Sequence, residues 1–70
     1  MIRKGTQIKW QWGNGYAEGK VKETYTTSIT KSLKGNDVTR HGSRDNKALL
    51  IIQDDGTEVL KLENEVERAD

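Results

Sequence analysis

The strict alternation of Gln7-Ile8-Lys9-Trp10-Gln11-Trp12, with Ile8, Trp10 and Trp12 at every second place, constrains the fold more than any other feature. A period of two gathers large apolar groups on one side of an extended strand and scatters them around a helix. This segment is therefore a strand with one buried face. Gly13-Asn14-Gly15 ends it, because Asn-Gly readily takes the positive φ angles of a tight hairpin turn.

The alternation resumes from Tyr16 to Tyr25, with Ala17, Gly19, Val21 and Tyr25 on one side and Glu18, Lys20, Lys22 and Thr24 on the other. Gly19, lacking a side chain inside a strand, marks a bend or the close approach of another backbone. Thr26 to Leu33 is rich in β-branched residues and reads as a third strand. Lys34-Gly35-Asn36-Asp37 is a turn cluster, after which Val38-Thr39-Arg40 continues or pairs with that strand.

His41 to Lys47 has no apolar side chain and reads as an exposed loop. Ala48-Leu49-Leu50-Ile51-Ile52 is the one continuous apolar run, short enough for a strand buried on both faces. Asp54-Asp55-Gly56 is a hairpin turn and Thr57 to Leu62 the last strand, with one helical turn expected over Glu63 to Arg68. Five or six short strands on tight turns specify an all-β barrel or curled sheet, since closure removes vulnerable edges.

Length and composition bear on what such a barrel does. A chain of 70 residues has room for one domain, residues 1–70, and chains of this size bury only about 60% of their unfolded surface. With 31% hydrophobic residues, a deep enclosed pocket would hollow out the core, so an enzyme is not expected. There is no cysteine, hence no disulfide framework and no thiolate zinc site. No apolar run approaches the ~20 residues of a membrane span, and the segment from Met1 to Gly5 lacks the apolar stretch of a secretory signal, so a soluble cytoplasmic protein is expected. The net charge is +1 but uneven: residues 1–53 carry ten Lys/Arg against four Asp/Glu, and residues 54–70 two against seven. Opposite charges are expected to meet on the closed fold.

The order of these signals resembles the hypervirulence-associated Tudor-like domains, small bacterial and fungal proteins with an SH3-like barrel. The resemblance is carried by Ile8-Lys9-Trp10, by Ala17-Glu18-Gly19-Lys20-Val21, by Thr39-Arg40-His41-Gly42-Ser43 with Asp45, and by Gln53-Asp54-Asp55-Gly56 before Val59-Leu60-Lys61-Leu62. It implies an SH3-like, Tudor-like barrel of five to six antiparallel strands, and the Tudor label implies recognition of methylated lysine or arginine.

Three candidate sites stand beside their plainer readings. Trp12, Tyr16 and Tyr25, with Trp10, are all the aromatic residues, and a cation over aromatic faces gains ~0.5–2 kcal/mol. In a chain without Phe, however, Trp10 is needed in the core. Arg40, His41, Ser43 and Asp45 are suited to hydrogen-bonding an anionic or peptide ligand, while Ser43 and Asp45 equally suit tying the loop's own backbone. Lys9, Lys20, Lys22, Lys31 and Lys34 fall on outward registers as a nucleic-acid face or as solvated edge protection. A Ser-His-Asp relay does not form from positions two apart in one loop, and the lone His lacks a spaced metal-binding partner. No cofactor is expected. The reading is a non-catalytic binding module for a protein or peptide partner, with a nucleic-acid-binding barrel as the alternative and a purely homo-oligomeric contact as a third.

Overall fold

The structure, a computed structural model, describes residues 2–70; Met1 lies outside the described residues. Two antiparallel sheets curl into a small barrel. The strands are β1 (Gln7–Trp12), β2 (Gly15–Tyr25), β3 (Ser28–Leu33), β4 (Asn36–His41), β5 (Ala48–Ile52), β6 (Glu58–Leu62) and the short β7 (Glu67–Arg68). The larger sheet has the order β6-β5-β2-β1-β7, and β3 and β4 form a separate two-stranded sheet.

The alternation of β1 buries Ile8 and Trp10 among Val21, Leu49 and Ile51, with Ala17, Val59 and Val66 packed against them, but Trp12, expected on the same buried face, lies beyond the end of the cluster and is exposed. Ile8, Leu49 and Ile51 are wholly buried, and each contributes about 1.5–3 kcal/mol through removal from water. On the other face of β5, Ala48 and Leu50 are buried as well, so this strand is covered on both sides. β2 is long enough to serve two partners, pairing with β1 through Gly15–Lys20 and with β5 through Lys20–Tyr25, with a bulge between Val21 and Glu23. Gly19 sits where β2 passes from one partner to the other. A Cβ there would lie 2.8 Å from the Ile52 carbonyl oxygen and 2.6 Å from Ile51 Cγ2, the close approach that the missing side chain allows.

Turn chemistry departs from expectation in three places. The first hairpin closes on the pair Trp12 and Gly15, so its central residues are Gly13-Asn14; φ is +58° at Gly13 and positive at no Asn, as in a type II′ turn. The second turn is only Lys34-Gly35, closed by Leu33 and Asn36, because both central residues take positive φ (+51° and +80°) as type I′ requires. Asn36 and Asp37 therefore belong to β4, a full strand of six residues. Lys34 in this left-handed conformation costs roughly 1–2 kcal/mol that a glycine would not. At the C-terminus only Glu63–Glu65 is helical, a single 3₁₀ turn. Val66 is extended, and Glu67 and Arg68 pair with Lys9 and Ile8, because the open edge of β1 offers backbone partners that a second helical turn would forgo.

Candidate groove beside Trp12

Opposed residues of antiparallel strands share a face, so the register decides which candidate residues meet. Trp10 lies opposite Ala17 and Trp12 opposite Gly15, on the face that also holds the core. Tyr16 lies opposite Gln11 on the other face, where the Lys9 ammonium stands 5.1 Å from the centre of its ring. Trp12 and Tyr16, 72% and 62% exposed, thus occupy opposite sides of one hairpin and do not form a joint cage. Tyr25, half-buried opposite Ala48, is at the far end of β2. Adjacency in sequence suggested a cluster that the two-residue period of the strand separates.

The β3–β4 hairpin builds the other wall. Its outer row is polar, with Ser28 and His41 sharing a hydrogen bond of 2.9 Å and Thr30 and Thr39 one of 2.7 Å. Its inner row holds Leu33, Val38 and Arg40, and the hairpin approaches the larger sheet along β6. Between this row, Trp10, Trp12 and Ala17 of β1 and β2, and Val59 to Lys61 of β6 runs a groove of about 470 Å³, open to solvent along one side. The composition argued against an enclosed pocket. The groove exists because the hairpin stands off from the sheet and leaves the core filled.

Of the loop residues singled out in the sequence, Arg40 alone lines the groove. Its Nη1 donates to the Thr39 carbonyl (3.0 Å) and its Nε lies 3.4 Å from Glu65 Oε1. His41 ends β4 on the polar outer row. Ser43 and Asn46 exchange backbone hydrogen bonds of 3.0 and 3.3 Å, and Ser43 Oγ accepts the Asn46 N–H at 3.1 Å, which ties the loop to itself. Asp45 is exposed and makes none of the loop's hydrogen bonds. The 3₁₀ turn straps this loop down: Lys47 N–H donates to Glu63 Oε1 at 2.8 Å and Asn64 N–H to Asn46 Oδ1 at 3.0 Å. Sequence reasoning missed Asn46, whose partner is eighteen residues away, and Lys61, which a strand-alternation rule assigns to a face only once the partner of β6 is known.

The lysine set does not form one uninterrupted face. Lys9 lies opposite Glu18, Lys31 is on the inner row of the hairpin, and Lys22 Nζ meets Glu58 Oε2 at 2.8 Å. Lys22 with Glu58 and Arg40 with Glu65 join the basic and acidic halves of the chain. The hydrogen bond from Lys22, seconded by its charge, holds the Glu58 carboxyl below the ordinary carboxylate range. A depressed carboxyl adds stability above its unfolded pKa and loses it as pH falls through the folded value. Glu58→Gln is therefore expected to narrow the gap between urea midpoints measured near pH ~7 and pH ~3, by a small amount because the pair is exposed.

Among the described residues no three His, Cys, Asp or Glu side chains gather as metal ligands, and no helix is long and apolar enough to cross a membrane. Residues 5–66 match the family model described as the Tudor domain of hypervirulence associated proteins. No curated protein and no solved structure matches the chain. With the match spanning nearly the whole barrel, the chain belongs to the family of hypervirulence-associated Tudor domains.

Proposed function

We propose that the chain is a non-catalytic module that binds an extended segment of a protein partner in the groove beside Trp12. Tudor-like domains commonly mediate binding. The observation that carries the reading is an indole left 72% exposed at the rim of a groove floored by Trp10 and Leu60 and walled by Leu33, Val38 and Arg40. Exposed aromatic groups beside an apolar floor are the usual anchors of a peptide interface, supplying contact area at small entropic cost. Tyr16, Tyr25, His41, Ser43 and Asp45 lie outside this groove, so the proposed binding residues are Trp12 and Arg40.

A pull-down from the native cell, compared with a Trp12→Ala variant, tests this with no assumption about the ligand. Partners retained by the parent chain are expected to be lost with Trp12→Ala and kept with Tyr16→Ala. Equal capture by parent and Trp12→Ala chains would place the interface elsewhere.

A further inference from the structure

The charges along the groove are unequal in how far they are already satisfied, and this bears on the partner's chemistry. Five charged side chains line it: Lys34, Arg40 and Lys61 against Asp55 and Glu58. Both acids are occupied. Glu58 accepts from Lys22 at 2.8 Å, and Asp55 Oδ1 accepts the Thr57 N–H at 2.9 Å within its own turn. Of the cations, Arg40 has the 3.4 Å pairing with Glu65, whose same Oε1 also accepts the Leu62 N–H at 2.7 Å. Among the described residues no carboxylate lies within 4.0 Å of the Lys34 or Lys61 ammonium, although Asp55, whose carboxyl pKa is lowered first by the hydrogen bonds from Thr57, is near enough for the Lys34 charge to help lower it. The two lysines stand on two sides of the groove, Lys34 at the hairpin tip and Lys61 on β6.

Lys34 adds an independent observation. It occupies a left-handed turn position (φ +51°) where glycine, asparagine or aspartate would sit with less strain. Strain of this kind gathers where a side chain serves a ligand.

We propose that the groove takes an acidic segment: an extended peptide with an apolar or aromatic side chain against Trp12 and carboxylates reaching Lys34 and Lys61. This rests on the groove being the binding site. Complementary charge would steer the encounter and set the preference among peptides, with Trp12 and the apolar floor anchoring the complex.

The test is a titration of the labelled chain, followed at the Trp12 indole N–H, with three short peptides that each carry one Phe flanked by Glu, by Lys or by Gln, and with a short single-stranded oligonucleotide. The Glu peptide is expected to bind about ten-fold tighter than the Lys peptide, with the advantage shrinking as salt is raised. Lys34→Asn, which suits the turn better than lysine, and Lys61→Gln are expected to remove most of that advantage and leave Gln-peptide binding unchanged. A Lys peptide that binds as well as the Glu peptide overturns the acidic preference while the groove reading stands. Silence at Trp12 with all three peptides overturns the groove reading and the inference together. An oligonucleotide that moves Trp12 at lower concentration than the Glu peptide replaces the peptide with nucleic acid.

Discussion

Replacing Trp10 by alanine is expected to cost about 3–5 kcal/mol of stability, whereas the same replacement at Trp12, two residues along the same strand and on the same face, leaves it within about 0.5 kcal/mol. Trp10 is 4% exposed and touches the central cluster; Trp12 is 72% exposed beyond its edge. A chain of this length has a total stability of roughly 4–10 kcal/mol, so Trp10→Ala removes between about a third and all of it. Urea unfolding followed by circular dichroism measures both. A Trp12→Ala midpoint lowered as far as that of Trp10→Ala would mean that the outer indole is part of the core and would leave the groove without its anchor.

The second large effect is expected at Gly42, just past the end of β4. An added Cβ would stand 2.6 Å from the Tyr25 carbonyl oxygen, 2.8 Å from the Ala48 nitrogen and 2.9 Å from the Thr27 carbonyl oxygen. All three are backbone atoms of segments that hold the hairpin to the sheet, and none can swing aside as a side-chain terminus can. Gly42→Ala should therefore cost about 1–3 kcal/mol, in the range of overpacked interiors. At Gly19 the closest obstacle is a side-chain methyl, Ile51 Cγ2, with a carbonyl next, so the penalty there is expected to be the smaller of the two. Gly15→Ala, with open space around it, serves as the control. A Gly42→Ala chain as stable as Gly15→Ala would show that the hairpin base yields without penalty.

Much of the architecture was legible because period-two alternation and Gly-containing turns act locally: β1, β2, β5 and β6 follow from residues that are neighbours in sequence. What was not legible depended on distant partners. β7 exists because β1 has an unfilled edge, a fact about the sheet and not about Glu67 or Arg68. The turn at Lys34-Gly35 was misjudged because lysine is a poor left-handed residue, and only the pairing of Leu33 with Asn36 requires it to be one. The candidate site shows the same division. The place of Trp12 beside a turn was legible locally, but its exposure, its separation from Tyr16 and its company with Arg40 and Lys61 come from register and from a hairpin folded over from elsewhere in the chain.

That hairpin leaves and re-enters the rest of the protein at nearly one point, where the Gly42 N–H donates to the Thr27 carbonyl oxygen at 3.2 Å. A segment whose ends meet can be lengthened, shortened or exchanged without displacing the strands before and after it. Here that segment carries one whole wall of the groove, including Leu33, Lys34, Val38 and Arg40, while most of the core comes from outside it. Selection on this barrel can therefore rewrite that groove wall as a cassette, leaving the residues that keep it folded largely untouched.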